Sequence, residues 1–315
     1  MAKLFYAFLT LFGVVSLVFF LFNVLPGDPA QMMLGQNENS EQIAMVKKKY
    51  GFDLPVSKQY FLYLNDLSPV SIHSKDSGDF SHYNEEKYKG RTLLQNQGYL
   101  VVLKWPHLRT SYQKRGKSVS SVISETFSNT FILALSSITI AIFMGISLGV
   151  IATLFHKTWV DRWLQFISTL GMSVPSFFSA IIFSWFFGFV YHHYTGLNMT
   201  GSLYEIDDFG EGRTLQLKNL IMPAFVLGIR PIAVIIQLMR SSLLDVLSQD
   251  YIKTAYSKGL STYSVILKHG IKNALNPVVT VISGWFASLL AGAVFVEYIF
   301  GWKGMGKEIV NALNT

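Results

Sequence analysis

Residues 240–280 read RSSLLDVLSQDYIKTAYSKGLSTYSVILKHGIKNALNPVVT, a polar and basic stretch that lies between two long apolar runs. The apolar residues of its first half recur at near-helical spacing: Leu243, Leu244, Leu247, Tyr251, Ile252 and Ala255. Gly259 suits the end of this helix because glycine adopts positive φ without strain. Ser261 or Thr262 can then cap a second helix. The stretch therefore predicts a helix–turn–helix between two apolar segments.

The composition is that of an integral membrane protein. Of the 315 residues, 50% are hydrophobic and 14% are charged, whereas a soluble domain carries about 25% charged residues. The net charge of +7 is spread beside the apolar runs and over one long hydrophilic segment, which argues against a nucleic-acid-binding face. The chain has no cysteine, so disulfides, thiolate metal sites and cysteine nucleophiles are excluded.

Five apolar runs are long enough to cross a bilayer as helices, which takes about 20 residues. They are Leu4–Leu25, Phe131–Phe155, Leu164–Tyr191, Leu220–Met239 and Val278–Phe295. The sequence thus predicts an all-α integral membrane protein. Pro175 predicts a kink or a tilt in the third run. The first run exceeds the ~7–15 residues of a signal-peptide core, so we interpret it as a span.

The orientation follows from lysine and arginine in the short loops, which favour the cytoplasm. Lys157 and Arg162 lie in the loop at 156–163. A second basic set lies in the loop before the last run: Arg240, Lys253, Lys258, Lys268 and Lys272. Five crossings put both loops and Lys3 on one side. We therefore expect a cytoplasmic N-terminus and an external segment at 26–130.

The external segment has two parts. Residues 37–64 have helical spacing, whereas residues 68–117 are more polar. Within the polar part, Arg91–Gln95 and Tyr99–Trp105 predict two strands around the turn Asn96-Gln97-Gly98. The apolar content is too small for a separate core. We therefore expect one transmembrane domain over residues 1–315, with its remaining spans at 131–315.

No sequence pattern supports catalysis by this chain. Ser111–Ser118 ends like a phosphate loop, but serine stands at 111 where the loop needs glycine. His192 and His193 are adjacent, so on a helix they point about 100° apart and do not share a metal easily. We expect no metal site, no bound cofactor and no enzymatic activity.

Several motifs resemble one known family. Residues 250–260 match the pattern D-Y-x-K-T-A-x-x-K-G-L, and residues 277–280 read PVVT. This stretch resembles the coupling loop of bacterial ABC importer permeases, specifically the oligopeptide/dipeptide/nickel family. Further matches are Leu25-Pro26-Gly27-Asp28-Pro29, Tyr50-Gly51-Phe52-Asp53-Leu54-Pro55, Ser173-Val174-Pro175-Ser176-Phe177, Met222-Pro223-Ala224, and the run of Glu297, Phe300, Trp302, Gly304 and Gly306.

The resemblance implies that residues 241–276 form a cytoplasmic coupling loop that docks on a separate ATPase. The residues on the family pattern are Asp250, Tyr251, Thr254, Ala255, Lys258, Gly259, Leu260, His269 and Asn273. It also implies two ATPase subunits that bind ATP and Mg, a second permease, an external solute-binding protein and a location in the bacterial inner membrane. Peptides are the family's commonest cargo. Without the resemblance, the loop also fits an amphipathic helix on lipid headgroups.

Three departures from the family pattern stand out. Residues 69–104 resemble an insertion, and Lys303 stands where the family has proline. The family continues into a sixth span, whereas this sequence predicts five.

Arg230 is the one charge within a predicted span, where a charged side chain costs upward of ~2.5 kcal/mol. We place Arg230, Pro175 and Glu297 in the translocation pathway, where Arg230 could meet a peptide carboxylate. The alternative is that Arg230 pairs with a carbonyl freed by Pro231. Other classes remain open. A secondary transporter would carry intramembrane carboxylates, which the runs lack, and a receptor or scaffold would need no coupling loop.

Overall fold

The computed structural model describes residues 2–24, 30, 34, 39–112, 114, 116–206 and 212–313. The chain divides into two compact units between Val122 and Ile123. The elements of the first unit are α1 (Ala2–Val24), α2 (Ser40–Tyr50), α3 (Val56–Leu67), β1 (Val70–Ser74), α4 (Glu85–Tyr88), β2 (Arg91–Gln95) and β3 (Tyr99–Leu103). The motif at 25–29 lies outside the described residues.

The helices of the first unit follow the sequence pattern. The first predicted span is confirmed as α1. The helical spacing of residues 37–64 corresponds to α2 and α3, which are separated by a turn at 51–55. Gly51 ends α2 with φ 73°, and Pro55 precedes α3. The Ser16 hydroxyl lies 2.6 Å from the Tyr60 hydroxyl, so α1 contacts α3.

The predicted hairpin is confirmed. Strands β2 and β3 are antiparallel, and Gln95 pairs with Leu100 across the predicted turn. Strand β1 pairs with the other edge of β3, which makes a three-stranded sheet in the order β1–β3–β2. Strand β3 ends at Leu103, two residues before the predicted end at Trp105. The sequence did not indicate β1.

A polar and aromatic cluster holds this sheet to α3. The buried Asp66 carboxylate is 2.8 Å from Arg109 Nε and accepts a hydrogen bond of 3.1 Å from the Tyr88 hydroxyl. The buried His73 ring lies 4.3 Å from the Tyr88 ring. The polar side chains thus supply contacts that the small apolar content of this segment does not. Its independence as a folding unit is untested, so the single domain stays a prediction.

The second unit is helical. Helix α5 (Val119–Leu154) begins just before the division at Val122 and continues into the second unit. The other elements are α6 (Trp159–Ser173), α7 (Ser176–Trp185), a π-helical turn (Phe186–Val190), α8 (His192–Thr195), β4 (Tyr204–Ile206), β5 (Arg213–Leu215), α9 (Lys218–Leu247), α10 (Asp250–Ser257), α11 (Thr262–Val265), a second π-helical turn (Ile266–Gly270), α12 (Ile271–Gly292), α13 (Val294–Phe300) and α14 (Met305–Leu313).

Within the described residues, four continuous helical stretches are long and apolar enough to cross a membrane. They correspond to four of the five predicted spans: Ala2–Asn23, Val119–Leu154, Lys218–Leu247 and Thr262–Ala291. The remaining predicted span, Leu164–Tyr191, falls on α6 and α7, which are bent by 107°. Pro175 ends the regular ladder because the residue before a proline avoids α-helical geometry, and Val174 is extended. The expected kink is therefore a complete break.

The broken pair still runs the length of α9. Near the start of α6, Asp161 contacts Arg240 of α9. After α8, the Asn198 side chain donates to Asn219 at the start of α9, at 3.1 Å. The stretch of α9 between these two contacts is about 32 Å long at ~1.5 Å per residue, which matches the ~30 Å hydrocarbon thickness of a bilayer. The segments before α6 and after α9 thus lie at the same end of the unit.

Helix α9 is the centre of this unit, and α5 packs closely beside it. A Cβ at Gly145 would lie 2.6 Å from Ile235 Cγ2, and one at Gly149 would lie 2.7 Å from Met239 Cβ. Both contacts are shorter than side chains tolerate, so glycine is required for this approach. Glycines four residues apart lie on one helix face, so this pair permits the close packing of α5 on α9.

Candidate coupling site

Residues 250–265 form a helix–turn–helix, with α10 and α11 joined at Gly259. The predicted start of the first helix is wrong, because Leu243, Leu244 and Leu247 belong to the end of α9 and the extended Gln249 separates α9 from α10. Gly259 has φ +80°, and a Cβ there would meet nothing within 4 Å. The Leu260 N–H donates to the Ala255 carbonyl at 3.3 Å, which closes the end of α10. Of the two candidate caps, the structure uses Ser261, whose hydroxyl accepts from the Ser264 N–H at 3.4 Å. We call residues 250–265 the coupling hairpin.

One face of the coupling hairpin is buried in a small apolar core of its own. Ile252 and Ala255 of α10 pack with Val265 of α11, and Val246 and Leu247 at the end of α9 complete the cluster. Ala255 is therefore a packing residue rather than part of an exposed surface. A helix this short is marginal alone, so this core is what holds α10 against the end of α9.

The opposite face carries most of the motif residues. Asp250, Tyr251, Thr254, Lys258 and Leu260 are all exposed. Three further apolar or aromatic side chains of the coupling loop are exposed as well, namely Tyr256, Tyr263 and Leu267. An exposed set of this kind, on a hairpin that is fastened from behind, is typical of a surface for a protein partner.

Asn273 joins this face from the start of α12, and the half-buried His269 lies one turn before it in the π-helical turn. The Asn273 side chain donates to the Tyr251 hydroxyl at 2.9 Å and to the His269 carbonyl at 3.2 Å. Asn273 thus holds α10 beside the start of α12. The site residues predicted at 250–273 are brought together at one end of the unit, with Ala255 beneath them.

Sequence reasoning missed Asp161, which lies at the base of this site. Its side chain is buried and bonded to Arg240, where Arg240 Nε donates at 2.6 Å. Asp161 is the one acidic residue in the basic stretch 156–163, and that signal could have identified it. Just beyond Arg240, the Ser242 hydroxyl donates to the Ala274 carbonyl at 3.0 Å and links α9 to α12.

Arg230 and Pro175 lie at the break between α6 and α7. Arg230 is exposed, and one of its terminal nitrogens lies 3.4 Å from the Met172 carbonyl. Met172 belongs to the last turn of α6, whose carbonyls lose their helical partners at the break. The bonded carbonyl is therefore freed by Pro175 and not by Pro231, contrary to the alternative raised from the sequence.

Glu297 is fully buried and accepts three hydrogen bonds. The Thr130 hydroxyl donates at 2.6 Å, the Gly306 N–H at 2.7 Å and the Lys307 N–H at 3.2 Å. Both amides belong to the first turn of α14, so the carboxylate caps that helix. Its place in the translocation pathway stays a prediction.

The other residues of the family pattern that begins at Glu297 lie around the Glu297 carboxylate. Gly304 faces it so closely that an added Cβ would collide with its oxygens. The Trp302 indole N–H donates to the Asn129 carbonyl at 3.1 Å. Lys303, which replaces the family's proline, donates its N–H to the Ser202 hydroxyl at 3.2 Å. Proline could not make that bond. We call residues 297–307 the Glu297 turn.

No group of three or more metal-ligating side chains occurs in the part of the chain that the structure describes. The Nδ1 atom of His192 lies 2.6 Å from the carbonyl oxygen of Leu197.

Two family profiles match the chain. Residues 141–315 match the inner membrane component of binding-protein-dependent transport systems, and residues 1–79 match the N-terminal part of such membrane components. The dipeptide transport system permease protein DppB of Alkalihalophilus pseudofirmus is 30% identical over 96% of this chain and 84% of its own length.

Two further relatives agree with these matches. The glutathione transport system permease protein GsiC of Escherichia coli K12 is 30% identical over 96% of this chain and 82% of its own length. A peptide permease protein of Brucella suis is 28% identical over 97% of this chain and 83% of its own length. A solved MetNI methionine ABC transporter overlaps 62% of this chain and 89% of that chain at 13% identity. Its TM-score of 0.44 is too low to support a conclusion.

The chain thus combines several membrane-spanning helices, an exposed hairpin fastened to the end of α9 and profile matches over most of its length. It belongs to the family of inner membrane components of binding-protein-dependent transport systems, and it is a permease subunit of an ABC importer, not an enzyme.

Proposed function

We propose that this permease subunit imports peptides and that its coupling loop, residues 241–276, docks on a separate ATPase. The observation that carries this proposal is the arrangement of the coupling hairpin. Its motif residues are exposed on one face, while Ile252, Ala255 and Val265 fasten the other face to the end of α9. When a partner displaces a surface that is held in this way, the displacement is transmitted to the membrane-spanning helices.

The bonds around the hairpin support its use as a lever. Asn273 binds the Tyr251 hydroxyl, and Ser242 binds the Ala274 carbonyl. The hairpin is therefore joined to α9 and to α12 at once. When the ATPases close on ATP and Mg, these joints would turn both helices together, and the pathway would alternate between outward and inward access.

The partners and the topology belong to the same proposal. A second permease, two ATPase subunits and an external solute-binding protein complete the transporter in the inner membrane. The N-terminus and the coupling loop face the cytoplasm, in keeping with the basic residues at the Arg240 end of the second unit. Residues 26–130 then face outward. The segment at 80–104, within the proposed insertion at 69–104, falls in the gap between the two family matches.

Peptide cargo is supported by the relatives, which are named for dipeptide, peptide and glutathione transport. We propose that Arg230 and Pro175 line the pathway at the break between α6 and α7. The exposed guanidinium of Arg230 would meet a peptide carboxylate. Arg230→Gln should raise the KM for dialanine uptake with little change in kcat. An unchanged KM would leave Arg230 as a partner of Met172 only.

The docking proposal is tested with two matched charge reversals. Lys258→Glu alters the exposed face of the coupling hairpin, and Lys218→Glu alters an exposed lysine at the opposite end of α9. Each tagged chain is purified gently from its membrane, and co-purifying proteins are identified by mass spectrometry. Uptake of radiolabelled dialanine is measured in the same cells.

We expect Lys258→Glu to lose the ATPases and uptake, and Lys218→Glu to retain both. Equal recovery of ATPases with the two variants would contradict docking at this face and favour a hairpin that lies on lipid headgroups. Normal ATPase recovery without dialanine uptake by the unaltered chain would contradict the peptide cargo alone.

A further inference from the structure

Asp161 binds Arg240 through two hydrogen bonds at the end of the second unit where the coupling loop begins. Its carboxylate accepts from Arg240 Nε at 2.6 Å and from a terminal guanidinium nitrogen at 2.7 Å. The Asp161 residue is only 3% exposed. A bidentate pair of this kind fixes both distance and orientation, and removal of one member would leave a buried charge without its partner.

The turn between α5 and α6 is shaped around the same carboxylate. Lys157 has φ +65°, a conformation that costs energy for a residue with a Cβ. In this conformation its N–H donates to Asp161 Oδ2 at 3.0 Å. His156 Nδ1 lies 3.3 Å from the same oxygen. The cluster thus joins the α5–α6 turn and the first turn of α6 to α9.

Helix α6 lies along α9 from this cluster to the break at Pro175. At its far end, a Cβ at Gly171 would lie 3.2 Å from Ile229 and 3.3 Å from Ala233. The contacts at Arg240 and Ile229 are about 16 Å apart along α9, at ~1.5 Å per residue. Helix α6 is therefore held against α9 along its length, with the extended Val174 as the next joint.

The pair also stands at the base of the coupling loop. Ser242, two residues beyond Arg240, bonds to α12, and Leu243 is fully buried beneath Gly270. A displacement of the coupling hairpin that reaches α9 therefore enters at this turn, which Ser242 also links to α12. Among the described contacts, the Arg240–Asp161 ion pair connects this turn of α9 to α6.

We propose that Asp161 and Arg240 are positioning residues, which make α6 move with α9 when the coupling loop is displaced and so transmit that displacement to the break at Pro175. This inference rests on the proposed coupling function and extends it to the broken helix. It concerns how motion is carried, and it assigns no direct contact with the cargo to either residue.

The test uses the whole transporter, reconstituted with its ATPases, second permease and binding protein. Asp161→Asn and Arg240→Gln each weaken the pair, and Arg240→Lys keeps the charge without the bidentate geometry. Arg162→Gln is the matched control, since it removes an exposed positive charge beside Asp161. The measured quantity is dialanine transported per ATP hydrolysed, with recovery of the ATPases as the check on assembly.

We expect Asp161→Asn and Arg240→Gln to lower this ratio at least about tenfold. A hydrogen bond to a charged group contributes more than the ~1.4 kcal/mol that a factor of ten represents. Arg240→Lys should recover part of the ratio, and Arg162→Gln should match the unaltered chain. An unchanged ratio in Asp161→Asn would overturn the proposal. Loss of assembly in both weakened variants, with a normal ratio in Arg240→Lys, would overturn it in favour of a purely structural role.

A distance measurement separates transmission of motion from stability. The chain has no cysteine, so spin labels can be placed at Phe166 on α6 and Ile221 on α9, both of which are exposed. In the unaltered chain we expect the same distance between the two labels in the nucleotide-free and the ATP-trapped states. In Asp161→Asn we expect a different distance in the ATP-trapped state. A change of distance between the two states of the unaltered pair would refute joint movement. If the distances are as expected but the unaltered transporter does not import dialanine, only the proposed peptide cargo is contradicted.

Discussion

Gly306→Ala should destabilise the second unit through the Glu297 turn. An added Cβ would lie 2.5 Å from Val294 Cα and 3.0 Å from the Val294 nitrogen. Both atoms are backbone, so neither can rotate away. The same Cβ would lie 3.0 Å from Glu297 Oε2, which accepts the Gly306 N–H at 2.7 Å. To relieve the contact, the first turn of α14 must move away from its capping carboxylate.

The magnitude follows from two contributions. Overpacking of a close contact costs about 1–3 kcal/mol, and loss of a hydrogen bond to a buried charged group costs about 1.5–3 kcal/mol. Together they lower the free energy of unfolding by about 2.5–6 kcal/mol. At ~2–4 °C per kcal/mol for a unit of this size, the unfolding temperature should fall by roughly 5–25 °C.

The assay is thermal unfolding of the purified complex, followed by loss of the monodisperse peak in size-exclusion chromatography. Gly284→Ala is the matched control, because a Cβ at this position of α12 would meet nothing within 4 Å and alanine favours a helix by up to ~1 kcal/mol over glycine. Its unfolding temperature should equal or exceed that of the unaltered chain. A Gly306→Ala protein within about 2 °C of the unaltered one would refute the reasoning, as would equal losses from both substitutions.

Three further results are expected. Gly149→Ala should lower the unfolding temperature relative to Gly284→Ala, by the ~1–3 kcal/mol of overpacking against Met239; equal temperatures would contradict the close packing of α5 on α9. Gly259→Pro should abolish dialanine uptake, since proline cannot adopt φ +80°, and normal uptake would show that the turn is not part of the coupling. Burial lowers the pKa of His73, so the folded state holds this imidazole neutral and its stabilising effect is lost as the pH falls below the usual value of ~6.5. Hydrogen exchange of residues 69–104, corrected for the intrinsic rate, should therefore be faster at pH 5.5 than at pH 7.5, and a His73→Gln chain should show a smaller pH effect; an equal pH effect in both chains would rule out His73 as its source.

Local signals along the chain predicted much of the fold. Helical spacing, the positive φ of Gly259 and the cap at Ser261 depend on neighbours within a few residues, and they led directly to the coupling hairpin. The hairpin of β2 and β3 follows from its turn residues in the same way. Pro175 predicted a disturbance of its span because proline restricts its own backbone and that of the residue before it.

Contacts between distant residues were decided by tertiary packing. The bend of 107° between α6 and α7 depends on what each half packs against. The pairing of Asp161 with Arg240 joins residues 79 apart, and Thr130 reaches Glu297 over 167 residues. Ala255 matches the motif as well as Lys258 does, yet only Ala255 is buried. The sequence by itself determined the long apolar helices, the turn at Gly259 and the family. Which side chains meet was decided by the tertiary structure, because burial and ion pairing depend on how whole helices approach one another.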